Sequence, residues 1–146
     1  MPALLDAIDK RFACRHFIAG QAPTETELAL LREAGRLAPS AFGLEPWRFI
    51  TVTDAAGRAA IAHACFDQPA AVTAPAFIVI VALVDDLDPD ADYVRQRFAA
   101  EARGGDTATI NAQYRAFYKP DAIAAWACGQ CNFAAAHILL QAAHLG

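Results

Sequence analysis

Residues 38–49 read Ala38-Pro39-Ser40-Ala41-Phe42-Gly43-Leu44-Glu45-Pro46-Trp47-Arg48-Phe49, and the change of pattern across them decides the fold class. Upstream, Leu28, Leu31, Ala34 and Ala38 recur at helical spacing, and Thr24 with Glu27 forms a capping-box pattern just after Pro23. Pro39 stops that helix, because its ring removes an amide hydrogen and collides with the preceding turn. Downstream, Trp47 to Thr53 (WRFITVT) alternates and carries β-branched residues, so it reads as a strand. Between them, PSAFGLEP is a loop bracketed by two prolines. With a serine and a glycine it can present backbone amides and one hydroxyl to a ligand. Taken alone, the plainer reading is a helix-to-strand connector with Trp47 as core filler.

Further toward the N-terminus, Leu4, Ile8 and Phe12 recur every four residues and predict a short amphipathic helix. Residues 13–23 read as an extended segment turning at Gly20 and Pro23. Toward the C-terminus, residues 55–66 look helical. Ala76 to Val84 (AFIVIVALV) is a continuous apolar run that fits a central strand buried on both faces. Residues 85–92 are acidic, contain Pro89 and form a loop. Residues 93–118 are helical with a break at Gly104-Gly105, which suits a hinge or lid. Asp121 is placed to cap a last helix. The sequence thus predicts one α+β domain over residues 1–146. Two strands are too few for a stable sheet, and Gly146 reads as a helix C′ residue with a strand expected after it. The fold is therefore expected to be incomplete at the C-terminus.

From Ala122 to Gly146 there is no Asp, Glu, Lys or Arg. Such a helix is a core or interface helix, or a membrane span. Gln130, His137, Gln141 and His144 fall on one narrow stripe, which is costly in lipid. The reading is a helix packed in a core or subunit interface, with one polar stripe toward a partner or ligand. His137 and His144 on that stripe read first as hydrogen-bonded interface residues. Cys128-Gly129-Gln130-Cys131 has CxxC spacing but sits inside a helix, whereas a thioredoxin-like motif opens one. No second pair or His cluster completes a zinc site, so no metal is expected and these cysteines read as structural.

The chain has 146 residues, a formal net charge of −4, 56% hydrophobic and 19% charged residues. It lacks a Lys/Arg run, so it has no nucleic-acid footprint. Met1-Pro2-Ala3-Leu4-Leu5-Asp6 is not a secretion signal. A cytoplasmic protein with four reduced cysteines, bound neither to membrane nor to nucleic acid, is expected.

Two further segments carry chemistry. Lys10-Arg11-Phe12-Ala13-Cys14-Arg15-His16-Phe17 sets two arginines four apart beside a helix end. Arginine is a strong bidentate phosphate ligand, and a solvated basic patch is the equal alternative. Trp126-x3-Gln130 lies on the charge-free helix and alone says little. In this order, however, KRxxxRxF, APSxxxxxPWRF, Phe66-Asp67-Gln68-Pro69 before Ala74-Pro75, Gln96-Arg97-Phe98, and W-x3-Q leading into LLxAAxLG resemble the FMN-dependent nitroreductase family from about Asp9 to Gly146. The resemblance is nearest the oxygen-insensitive NAD(P)H nitroreductase and dihydropteridine reductase-like branch.

The resemblance implies an α-β-α sandwich with a mixed sheet, in an intertwined homodimer holding FMN at the subunit interface. It implies a ping-pong reaction: NAD(P)H reduces the flavin, which then passes electrons to a nitroaromatic, quinone or pterin-like small-molecule acceptor. The flavin carries the chemistry, so no catalytic side chain is expected. Within the segment Arg11, Phe12, Ala13, Cys14 and Arg15, Arg11 matches the flavin-phosphate arginine. Arg15 matches a basic residue near the ring, where positive charge stabilises the reduced anionic flavin. Pro39, Ser40, Ala41 and Gly43 match the loop that reaches the partner's flavin, with Glu45 beside it. Asp67 matches a position contacting the ring's pyrimidine edge, and Arg97 a basic residue near the nicotinamide nucleotide. Tyr114 and Phe117 fall in the mobile helical region above the flavin, so that Arg15, Asp67, Arg97, Tyr114 and Phe117 make up the NAD(P)H and acceptor side.

The chain departs from the family where Ser is usual at Ala13, Asn at Gly43, Gln at Glu45 and Asn at Asp67. Glu45 and Asp67 add negative charge, which opposes an anionic reduced flavin. After LLxAAxLG the family continues with a strand, a loop over the flavin, another strand and a partner-embracing tail. The expectation is a C-terminally truncated chain that binds FMN weakly or not at all unless a partner supplies those parts. The alternative is an inactive relative serving only as a dimerisation or regulatory partner.

Overall fold

The computed structural model describes residues 3–146. Helix α1 (Ala3–Lys10) leads into an extended arm that ends in the turn at Gly20. Helix α2 (Glu25–Arg36) begins with the expected capping box: the Glu27 amide donates to Thr24 Oγ1 at 3.2 Å, and the Thr24 amide donates to Glu27 Oε2 at 2.7 Å. A 3₁₀ turn (Ala41–Gly43) then delivers the chain into β1 (Trp47–Val52). Helices α3 (Ala55–Ala64) and α4 (Pro69–Thr73) precede β2 (Phe77–Ala82). Helices α5 (Asp92–Ala102) and α6 (Ala108–Phe117) follow, and α7 (Ile123–Leu145) closes the described chain.

The two strands pair antiparallel, with Trp47 opposite Ala82 and Val52 opposite Phe77. The α+β class stands. The mixed character expected of the sheet does not appear among the described residues, because a mixed sheet needs a parallel pair and this pair is antiparallel. The face carrying Trp47, Phe49 and Ile80 packs on α7 through Ala134 and Cys131, with Ala38 at its rim. On the other face Ile50 and Val81 are exposed. The expectation that residues 76–84 form a strand buried on both faces is thus corrected: β2 has one partner strand and a helical layer on one side, and its residues are mostly half-buried.

A second core holds Leu44, Leu87, Val94, Phe98, Tyr114, Ile123 and Ala127. It joins α5, α6 and the start of α7 to the loop after α2, and Leu44 within that loop is fully buried. Helix α7 is long and apolar enough to cross a bilayer, and it packs against α1, α2 and β2. Asp121 does not cap it. The Ala122 and Ile123 amides already donate to Lys119 O, so the turn through Lys119 does the work expected of a capping carboxylate. Ala7 seats α1 inward, while Leu4 and Ile8, the predicted apolar stripe, stay exposed, as does Phe12 just beyond the helix. The stripe is real, but it faces away from the chain's own core.

Candidate functional site

The arm carrying Arg11, Phe12, Ala13 and Arg15 is extended and exposed, with Cys14 half-buried. Among the described residues, neither Arg11 nor Arg15 enters an ion pair, whereas Lys10 is paired to Asp6 at 2.7 Å. The Cys14 thiol donates to His16 O at 3.3 Å. The arm is tied down at its far end, where the Phe17 amide donates to Thr73 Oγ1 at 3.0 Å on α4. That bond fixes the end of the arm, at Phe17, against α4.

Phe66 and Asp67 both adopt left-handed φ, 60° and 50°. Such backbone is uncommon for non-glycine residues and concentrates at functional sites. The Phe66 ring is almost wholly exposed, and Asp67 Oδ2 lies 3.2 Å from His63 Nδ1 one turn earlier. The sequence reads a turn here, with Asp67 matched by resemblance to a ring contact, and the left-handed backbone and the His63 partner are additions of the structure. The signal for that partner is the His63-x3-Asp67 spacing, which sets the imidazole over the carboxylate.

The Ser40 loop is built differently. Phe42, Gly43 and Glu45 have φ of 59°, 63° and 43°. The Gly43 amide donates to Ser40 O, the Leu44 amide to Ala41 O, the Glu45 amide to Ser40 Oγ at 2.7 Å and the Ala41 amide to Gln130 Oε1 at 2.9 Å. These four amides, expected to be free for a ligand, are committed within the protein. Pro39 is exposed at the loop's entrance. A hydroxyl has one hydrogen and two lone pairs. Ser40 Oγ uses a lone pair on Glu45 and keeps its hydrogen for a further acceptor.

Arg97 was expected near a nucleotide. Its Nε and Nη2 instead donate to Gly43 O at 3.0 and 2.8 Å, and Nη2 lies 2.9 Å from Glu45 Oε1. The negative charge that Glu45 brings is therefore neutralised locally. Tyr93, one turn earlier on α5, has its hydroxyl 2.8 Å from both Leu44 O and Glu45 O. Burial pushes its phenol up from the usual tyrosine range, so it stays a protonated donor. Tyr93 and Gln130 were not expected as loop partners. The i,i+4 pair Tyr93–Arg97 is the pattern that marks a shared helix face.

Tyr114 was expected above a ligand. It is fully buried, its hydroxyl donates to Leu87 O at 2.6 Å, and burial raises its pKa strongly. Its place is the core. Phe117 is partly exposed and packs against Phe42 and Trp126, at centroid distances of 5.2 and 5.5 Å, so it borders the Ser40 loop.

The two groups of predicted residues are not joined: no hydrogen bond or ion pair among the described residues links the Arg11–Arg15 arm to the Ser40 loop. The two clefts described lie elsewhere. One of about 460 Å³ is lined by the 18–23 segment with Arg58, Thr53 and Thr73. The other, of about 430 Å³, is lined by α1 residues with His137, Gln141 and His144. No group of three or more His, Cys, Asp or Glu able to hold a metal occurs among the described residues, and all four cysteines are free.

The family profile described as "Nitroreductase family" matches residues 8–146. The chain belongs to the nitroreductase family. Bacillus subtilis YfkO is 32% identical over 95 residues, which cover 64% of this chain and 43% of that protein. A Thermus thermophilus relative named NADH dehydrogenase is 31% identical, covering 96% of this chain and 71% of its own length. The chain therefore spans less than half of some curated nitroreductase relatives. In three dimensions, the crystal structure of an Exiguobacterium sibiricum nitroreductase-type protein in complex with FMN superposes with a TM-score of 0.72 at 20% identity. That match covers 97% of this chain and 70% of the other. The arm, the Ser40 loop and the Phe66-Asp67 turn all lie within the residues that match the family.

Proposed function

We propose that this chain is an FMN-dependent oxidoreductase that takes electrons from NAD(P)H and delivers them to nitroaromatic, quinone or pterin-like acceptors by a ping-pong route, as a homodimer with the flavin between subunits. A bound FMN supplies the two-electron chemistry. The chain's residues bind and orient it. Arg11 grips the phosphate, and Arg15 holds positive charge beside the ring. Asp67, held in left-handed backbone, faces the ring's polar edge with His63 behind it. Ser40 offers its remaining hydroxyl hydrogen, and Phe117 borders the acceptor side.

The observation that carries this reading is the pair of guanidinium groups, without an ion-pair partner among the described residues, on an exposed arm within a nitroreductase fold. The donor set suits FMN: two cations fit a phosphate monoester, and a hydroxyl donor with a strained polar turn fits a heteroaromatic edge. The separation of arm and loop within one chain supports a site assembled from two copies. The exposed Leu4, Leu5, Ile8, Phe133 and Leu139 supply apolar surface for that association.

The test is a flavin titration followed by fluorescence quenching, carried to millimolar FMN so that weak binding registers. It is paired with NADH and NADPH oxidation in the presence of a nitrofuran. Arg11→Ala should raise the dissociation constant about tenfold or more, the effect of losing one charge-assisted phosphate contact. No saturable binding by the native chain, or unchanged affinity in Arg11→Ala, would overturn the proposal. A chain that dimerises yet consumes no NAD(P)H would point to the non-enzymatic partner role.

A further inference from the structure

We propose that Tyr93 and Arg97, one turn apart on α5, are positioning residues that hold the Ser40 loop in its ligand-presenting shape by binding the carbonyls of Gly43, Leu44 and Glu45. The inference deepens the flavin reading and rests on it for its functional consequence. Its structural part stands independently.

The loop needs such a clamp. Phe42 and Glu45 are non-glycine residues in left-handed backbone, a conformation that is strained for residues with a Cβ. Strain of that kind persists only where the surroundings over-determine it. Here three consecutive carbonyls meet two side chains of one helix face. Arg97 directs two N–H groups at one oxygen, Gly43 O, and reaches Glu45 Oε1 with the same Nη2. Its side chain is 24% exposed and that of Glu45 28%, so this pair is less screened than an open surface pair. The Tyr93 hydroxyl has one hydrogen, shared between Leu44 O and Glu45 O. On the loop's other flank Gln130 accepts from the Ala41 amide, and the buried Leu44 anchors the middle. With these groups engaged, the Ser40 hydroxyl hydrogen remains free to donate. The clamp therefore fixes where that donor sits.

This role differs from the nucleotide contact that the sequence suggests for Arg97, because a guanidinium engaged with Gly43 O and Glu45 is not extended toward a ligand. The two roles separate by experiment. Amide hydrogen exchange at Ala41, Gly43, Leu44 and Glu45 is measured on the flavin-free chain, as wild type, Arg97→Met, Arg97→Lys and Tyr93→Phe. FMN affinity and the KM for NADH and NADPH are measured alongside. For a clamp, Arg97→Met speeds exchange at these amides about tenfold, the loss of bonds to a charged donor. It also weakens FMN binding by a similar factor and leaves the nucleotide KM unchanged. Tyr93→Phe has a smaller effect in the same direction, and Arg97→Lys rescues part of it by keeping the Glu45 pair. Unchanged loop exchange in Arg97→Met overturns the proposal, as does a raised nucleotide KM with loop exchange and FMN affinity intact. If Arg97→Met lowers global stability, Tyr93→Phe carries the test, since it keeps the ring's packing, and unchanged loop exchange there is equally decisive. If the wild type binds no FMN but Arg97→Met still loosens the loop, the flavin reading fails and the clamp stands.

Discussion

Gly43 shows how one residue's backbone and one neighbour's side chain share a constraint. Its φ is +63°, and a Cβ built there would lie 2.6 Å from Cγ, Cδ and Oε1 of Glu101. The Glu101 side chain is about half exposed, so it can swing aside. Asparagine tolerates left-handed backbone and β-branched residues do not. Gly43→Asn is therefore expected to lower stability by only about 1 kcal/mol, and Gly43→Val by about 2 kcal/mol or more, both read from thermal melts. Equal losses would show that the clash with Glu101, not the backbone, sets the cost. Tyr114 gives a second prediction at this scale. Burial raises its pKa, so its contribution is fully present below the ordinary tyrosine range and is lost as pH climbs above it toward the folded value. Tyr114→Phe should cost about 1 kcal/mol near neutrality by stranding Leu87 O. It should also lessen the loss of stability at alkaline pH.

At the scale of elements, α2 has a start written entirely in local chemistry. Thr24→Ala removes the side-chain cap and should destabilise the chain by about 1 kcal/mol. The Thr24 backbone amide and hydroxyl hold the Glu27 carboxyl below its ordinary range. A depressed carboxyl stabilises above its unfolded pKa and loses that contribution as pH falls through the folded one. Thr24→Ala keeps the backbone bond and loses the hydroxyl bond to Glu27, so the melts of wild type and Thr24→Ala should draw only partly together in acid, and a gap that widens in acid would contradict the capping-box account. The contrast with other elements explains what could be read in advance. The box, the Pro39 stop and the alternation of Trp47 to Val52 involve neighbours in sequence, and all are present. The burial of β2, the replacement of Asp121 by the Lys119 turn, and the left-handed Phe66-Asp67 pair depend on tertiary context, and sequence spacing carries little of it. The site divides the same way. Arg11, Arg15 and Ser40 are legible as residue types. Arg97 and Tyr114 are read toward a ligand and Tyr93 is not singled out, because an arginine or a tyrosine suits a ligand as well as a carbonyl 27 to 54 residues away.

At the scale of the whole molecule, apolar surface outruns what one copy can cover. Helix α7 has 23 residues, about 35 Å of length, yet only 17% of its most apolar window is buried. Cys128, Asn132, Phe133, Ala136 and Leu139 form an exposed strip along it, and Leu4, Leu5 and Ile8 of α1 add to the open surface nearby. On the homodimer reading proposed above, this exposed strip is the association surface, and the polar stripe of His137, Gln141 and His144 lies on the α1 side of α7, apart from that strip. If a second copy covers the strip, charge placed in its centre must break the pair while leaving the packed face of α7 untouched. Phe133→Lys with Leu139→Lys should convert a dimer to monomers in light scattering, with far-ultraviolet dichroism unchanged. Flavin binding should fall in the same variant, because the proposed site takes the arm from one copy and the Ser40 loop from the other. A wild-type chain that is monomeric at all concentrations would remove the seam on which that shared site depends. A charged variant that dimerises normally would place the seam on another face.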